Sequence, residues 1–431
     1  MPYHPIAERF PIVPALDPLW LLAFTVLFAG SAVLTMRRPG RGAALLVFIT
    51  PFAGAHAIFG TTLTAPKAML IGVIVGLLGT PGAWKMLARQ PVVYVAGALG
   101  AVVVATGLSI VVAAHPAEAV RETLKWAQYL ALFCAILVAY AADPAERLVR
   151  IALFTSILVV VASAFSDLAL GATSGLVLGS TVVPRIAGVL EGPNQFGGYL
   201  EAAIAAVGAW HMHVPRRASA LLLFVCGAAL ALTFSRAAFF ATLAILVIFA
   251  LIEPRRIVQL WTLLAGFAIG YLNDVMWAIR AHVGFLSIFE RESDISGEGT
   301  GIGDRAELWR AARFFFLRHP LLGIGAGNYQ FELAQAGLPG VRTQANSWYL
   351  QAAAEGGIVL LGATAAWILT VLRALVAYVR VSPWALAGFA ASCAFALHGF
   401  FDDLVFYPKV AEAWIALVAL GIAEPLARKS R

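Results

Sequence analysis

RASALLLFVCGAALALTFSRAAFFATLAILVIFALIEPRR, residues 217–256, decides the fold. Between Arg217 and Glu253 its thirty-five residues carry one charge, Arg236. At a helical rise of 1.5 Å per residue the blocks 218–234 and 237–253 each reach about 25 Å, close to the ~30 Å of a hydrocarbon core. The in-out alternation of a barrel strand is absent, so the blocks read as helices, the only other structure whose backbone satisfies itself in lipid. Arg216 and Arg217 before them and Arg255 and Arg256 after them put both ends on one side of the membrane.

The same pattern extends along the chain. Candidate spans fall near 18–36, 42–60, 67–83, 91–113, 124–142, 151–172, 195–212, 218–234, 237–253, 257–272, 357–379, 384–401 and 410–427. The fold class is an all-α polytopic membrane protein of about twelve or thirteen transmembrane helices, with one long loop holding short amphipathic helices. Basic residues (Arg37, Arg38 and Arg41; Lys85 and Arg89; Arg147 and Arg150; Arg373 and Arg380; Arg428, Lys429 and Arg431) sit in or beside alternate connections. By the positive-inside rule these are cytoplasmic, which puts the C-terminus inside and the N-terminus outside. Three regions follow: an N-terminal bundle of about ten spans over 1–272, an outer loop over 273–346, and a bundle of about three spans over 347–431.

Composition agrees. The 431 residues are 61% hydrophobic and 12% charged, and the net charge of +7 is explained by topology rather than by a nucleic-acid-binding patch. Cys134, Cys226 and Cys393 lie inside apolar blocks without metal spacing. His211 and His213 have ligand-like spacing but no carboxylate or cysteine nearby. The N-terminal stretch around Glu8 and Arg9 lacks the organisation of a cleaved leader.

In the long loop, Asp304 and Glu307 are spaced as a capping box, and Leu308, Ala311 and Phe315 repeat at helical spacing up to His319-Pro320. Gly323-Ile-Gly-Ala-Gly-Asn328 reads as a turn, with a phosphate nest as the alternative. A second helix is expected to open at Asn346 as its N-cap and to break at Gly356-Gly357.

Chemistry concentrates at the outer ends of the spans. An arginine at mid-bilayer costs roughly 2.5–3.5 kcal/mol on insertion scales, so Arg236, and Arg185 before the preceding block, call for a compensating anion. Taken in order, Arg185-Ile-Ala-Gly188, Gly192-Pro-Asn194, Ser235-Arg236, Arg305 to Trp309, His319 to Gly325, and Ala345-Asn-Ser-Trp-Tyr-Leu350 with Glu355-Gly-Gly357 form a series. It resembles the O-antigen ligase superfamily, which includes O-antigen ligases, Wzy-type polysaccharide polymerases and protein O-oligosaccharyltransferases, over roughly residues 180–410.

The resemblance implies a GT-C-like, metal-independent inverting glycosyltransferase of the bacterial inner membrane. Its donor would be a glycan on undecaprenyl pyrophosphate, its acceptor lipid A core or a second lipid-linked glycan, and its active site would face the periplasm, with membrane lipids around it. No cofactor, metal or nucleic acid is implied. Arg185 and Arg236 would hold the pyrophosphate, and Arg305, Asn194, Gln344 and Asn346 would bind substrate.

Ala345 departs from the pattern, because family members carry histidine there. Alanine exchanges no proton, and general-base help is worth about 10²–10⁴-fold. Either the chain is an impaired or altered member, or it works mainly by positioning, or the base lies elsewhere: at Glu191, at His319, or at His398 paired with Asp402 one helical turn on. A transporter or flippase for a lipid-linked glycan is the alternative class. It would need charged groups at mid-span, and here span centres look uncharged apart from Lys125 and Asp167.

Overall fold

The computed structural model describes residues 18–52, 55–58, 61–178, 181–280 and 305–429. The N-terminal stretch without a leader pattern and the capping residue Asp304 lie outside the described residues.

Each expected span coincides with one helix: α1 Pro18–Arg37, α2 Pro39–Ile49, α3 Ala65–Leu78, α4 Val92–Ser109, α5 Pro116–Ala142, α6 Glu146–Leu170, α7 Pro193–His213, α8 Arg217–Leu232, α9 Arg236–Ile252 and α10 Trp261–Arg280. After α11 (Arg305–Arg318) and the short α12 (Tyr329–Glu332) come α13 Trp348–Val376, α14 Pro383–His398 and α15 Pro408–Lys429.

Length and apolarity separate these helices. Among the described residues, six can cross a membrane on those grounds, namely α1, α4 with its short extension, α5, α6, α13 and α15. Joining α3 to the turn after it, across a 108° bend, would make seven, and α2, α8, α9, α10 and α14 are shorter apolar helices. The expected span 42–60 is therefore too long. The helix stops before Pro51, and the antiparallel hairpin β1 (Ala55–Ile58) with β2 (Thr61–Thr64) takes up the rest.

A second hairpin, β3 (Ser174–Leu178) paired with β4 (Thr181–Arg185), occupies the connection between α6 and α7.

The middle of the bundle is α7, buried from Phe196 to Met212, which packs against α8, α9, α14 and α15. The membrane-length window of α15 is wholly buried as well. Lipid does not drive apolar helices together, so close backbone approach and van der Waals contact must do it. At Gly227 an added Cβ would lie 2.2 Å from the Leu263 carbonyl oxygen, which is how α8 and α10 come into backbone contact.

A separate apolar cluster holds the loop module together. Leu308, Ala311 and Phe315 of α11 pack with Tyr329, Leu333, Val341, Ala345 and Ala354. The Gly323–Asn328 segment is a turn, and its backbone is already engaged. Gly325 N donates to the Glu355 carbonyl at 2.9 Å, Ala326 N to Ser109 Oγ at 2.9 Å, and Tyr329 N to Glu355 Oε1 at 3.1 Å. The would-be phosphate nest is filled by the chain's own carboxylate.

Ser347, not Asn346, stands at the N-cap of α13, because Asn346 takes a left-handed φ of 50° and turns the chain first. The helix breaks at Gly357 as expected. Its φ of 60° and ψ of −154° are glycine-permitted, and a Cβ there would meet the Leu321 carbonyl.

Candidate functional site

Two chain breaks build the centre of the site. The first ends β4: Arg185 is 7% exposed, its Nε donates to the Thr233 carbonyl at 2.7 Å, and one terminal nitrogen donates to Asn194 Oδ1 at 2.8 Å. The second separates α8 from α9. Thr233 closes α8, Phe234 is forced to a φ of 52°, and Ser235 caps α9 by accepting from Ala238 N. A left-handed non-glycine residue costs about 1–3 kcal/mol. Here that strain turns the chain so that Arg236 becomes the first residue of α9 at an exposed position, while the freed Thr233 carbonyl faces Arg185.

Close packing sets the spacing between these breaks. A Cβ at Gly197 would lie 2.7 Å from Ala238 Cβ, so α7 and α9 approach at the level of their N-termini. Gly198, next along, accommodates Leu404 from the turn between α14 and α15.

That turn supplies a carboxylate, and α11 supplies a third arginine. Arg305, at the start of α11, lies within electrostatic range of Arg185, Arg236, His398 and Asp402. Asp402 is 5% exposed and bonded by Asn194. Arg185 and Arg305 thus face the Asp402 carboxylate, Arg236 lies within electrostatic range of Arg305, and the positive dipole ends of α7 and α9 approach one another.

Burial, with the Arg305 charge beside it, pushes the Arg185 guanidinium down to about 10, so it stays charged at neutral pH. Burial raises Asp402 above the usual carboxylate range, and Arg305, the Asp403 N–H, Asn194 and Arg185 pull it back. An arrangement with surplus positive charge, partly withdrawn from solvent, is suited to holding a multiply charged anion.

The remaining candidates lie elsewhere. Ala345 is fully buried in the apolar core of the loop module, and its N–H donates to Gln351 Oε1 at 2.7 Å. Gln344 accepts from the same Gln351 side chain, which also donates to Glu355. Glu191 pairs with Lys409 at 3.2 Å. His319 is exposed at the far end of α11, about 20 Å from Arg305 along the helix axis. His398 does not pair with Asp402 through its side chain. Its carbonyl accepts from the Asp402 N–H, and its Nδ1 is bonded to Glu201.

Glu201, buried near the middle of α7, corrects the expectation that span centres are uncharged, and Glu412 is buried one turn into α15. The signal for Glu201 was present as a lone carboxylate in Gly-Gly-Tyr-Leu-Glu-Ala-Ala-Ile. His211 is satisfied by Ser219 and His213 by the Ala209 carbonyl, and no group of three potential metal ligands occurs among the described residues.

A many-helix membrane protein with a cluster of arginines at its helix ends and a folded loop module is the class these features define. Residues 221–365, from α8 into α13 and including Arg236, Arg305 and Ala345, match the family model described as O-Antigen ligase. The match covers about a third of the chain and supports the resemblance to the O-antigen ligase superfamily. No curated protein matches the chain.

Proposed function

We propose that the protein is a metal-independent inverting glycosyltransferase that moves a glycan from undecaprenyl pyrophosphate to an acceptor hydroxyl at the periplasmic face of the inner membrane. The observation that carries this reading is the convergence of Arg185, Arg236 and Arg305 from three separate segments.

In the reaction, the acceptor oxygen bonds to the anomeric carbon as the bond from that carbon to the diphosphate oxygen breaks. The electron pair leaves on the diphosphate, and the acceptor proton passes to a base. Negative charge on the leaving group rises through the transition state, so fixed guanidinium donors stabilise the transition state more than the ground state. Planar forks suit this task because each can bind two phosphate oxygens. The lipid tail would lie along the short apolar helices α8 and α9. The loop module would cover the sugar, with Gln344 and Asn346 as its sugar-binding groups.

The test is reconstitution in lipid nanodiscs with an undecaprenyl-pyrophosphate glycan and candidate acceptors. A ladder of repeats identifies a polymerase, and one discrete mass shift identifies a ligase. Undiminished donor with every acceptor class, under conditions where the donor binds, contradicts the reading.

A further inference from the structure

Helix α11 presents two faces to the rest of the protein. Leu308, Ala311 and Phe315 pack into the core of the loop module. Arg305, Trp309, Ala312 and Phe316 recur at i, i+4, i+7 and i+11, which places them along one neighbouring face. Trp309 and Phe316 on that face are partly exposed.

The second face walls a pocket of about 420 Å³ between α11 and the first turns of α13. Ala306, Trp309, Ala312 and Phe316 line it from one side, Leu350 and Ala353 from the other. Sites for small ligands have volumes of roughly 300–1,000 Å³. Carbon makes up nearly all of this wall. The two polar residues that border it, Arg310 and Arg313, are exposed, and Arg310 pairs with Glu307 at 3.7 Å.

The pocket begins beside the arginine cluster. Ala306 follows Arg305 directly in the chain, and Trp309 stands four residues further on, about 6 Å along the helix axis. A group bonded to a diphosphate that Arg305 holds therefore reaches this wall without a spacer.

We propose that this pocket seats the sugar bonded to the diphosphate, and that this sugar turns a methyl edge, as a 6-deoxyhexose has, towards Trp309 and Phe316. The inference rests on the transferase reading and adds a donor specificity to it. A C6 hydroxyl against this wall would give up water without gaining a hydrogen-bond partner, which costs free energy. A methyl group there gains by leaving water. The flat indole of Trp309 receives the C–H face of the ring. The anomeric carbon, joined to the diphosphate oxygen, stays at the Arg305 end of the pocket. Trp309 is thus a specificity-determining residue.

The probes are undecaprenyl pyrophosphate bearing 6-deoxy-D-glucose and the same lipid bearing D-glucose, which differ by one hydroxyl. Equilibrium binding to the nanodisc-embedded protein is read beside transfer to the acceptor that reconstitution identifies. Apolar pockets separate such pairs by about 10- to 100-fold, and the native chain is expected to favour the deoxy donor by that factor in binding and in kcat/KM. Trp309→Ala is expected to lose the preference while binding glycan-free undecaprenyl pyrophosphate as the native chain does. Phe316→Ala, further along the wall, repeats the test should Trp309→Ala fail to fold. Equal use of the two donors by the native protein overturns the inference, and so does an undiminished preference in the folded variant. Weaker binding of the glycan-free lipid in that variant also overturns it, because the pocket would then hold the isoprenoid chain. The two levels separate cleanly. A deoxy preference in binding with no transfer of either donor keeps the pocket and sinks the transferase reading, whereas equal binding and transfer of both donors does the reverse.

Discussion

Replacing Arg185 by lysine keeps one positive charge and removes a fork. Two bonds anchor the native side chain, from Nε to the Thr233 carbonyl at 2.7 Å and from a terminal nitrogen to Asn194 Oδ1 at 2.8 Å. Hydrogen bonds from charged groups contribute about 1.5–3 kcal/mol each, and a lysine Nζ can restore one of the two. The net loss is thus about 1.5–3 kcal/mol, and an ammonium presents no planar pair of donors to phosphate.

If that loss is felt in the transition state, it corresponds to about 10- to 150-fold in kcat. The assay is single-turnover transfer of a fluorescently labelled glycan, read beside thermal unfolding of the same preparation. Arg185→Lys is expected to lose that factor, and Arg185→Ala to lose more because the charge goes as well. Full activity in Arg185→Lys would refute the reasoning, and so would equal losses in Arg185→Lys and Arg185→Ala, since then neither fork nor charge sets the rate.

Two further outcomes concern the scaffold. Gly197→Val must push α7 away from Ala238 of α9, an overpacking worth about 1–3 kcal/mol; it is expected to lower the unfolding temperature and to cut transfer further than stability alone explains, because Asn194 and Arg236 separate. Glu201→Ala leaves the buried His398 ring without its partner, at about 1–3 kcal/mol, and thermal unfolding in nanodiscs should show that loss.

Much of this molecule was legible in its sequence because membrane insertion writes large signals. Apolar blocks bounded by basic residues gave the approximate position of each long helix, though among the described residues six, rather than twelve or thirteen, are long and apolar enough to cross a membrane, and the solitary charge of Arg236 marked a place where a helix had to end. Lengths were less legible. Residues 42–60 look continuous in composition, yet the helix ends before Pro51, and hydropathy cannot tell a short helix plus hairpin from one span.

The site was legible as residue types and less so as partners. Arg185, Arg236 and Arg305 stand out as charges, but what fixes Arg185 is a backbone carbonyl, Thr233, exposed by a strained Phe234 that no composition rule marks. His398 looked as if it belonged with Asp402 at one-turn spacing. Tertiary packing gave it Glu201 from α7, 197 residues away. Asn346 has the chemistry of an N-cap, but its left-handed backbone hands that position to Ser347. Ala345 shows only as a missing proton carrier in the sequence; its burial in the loop-module core needed the fold.

The most direct test of the arginine pocket is equilibrium binding of undecaprenyl pyrophosphate without any glycan to the nanodisc-embedded protein, compared across Arg185→Ala, Arg236→Ala and Arg305→Ala. Each variant is expected to bind at least tenfold more weakly than the native chain, with affinity falling as salt rises. Native affinity in the three variants would contradict the claim that these guanidinium groups share one diphosphate.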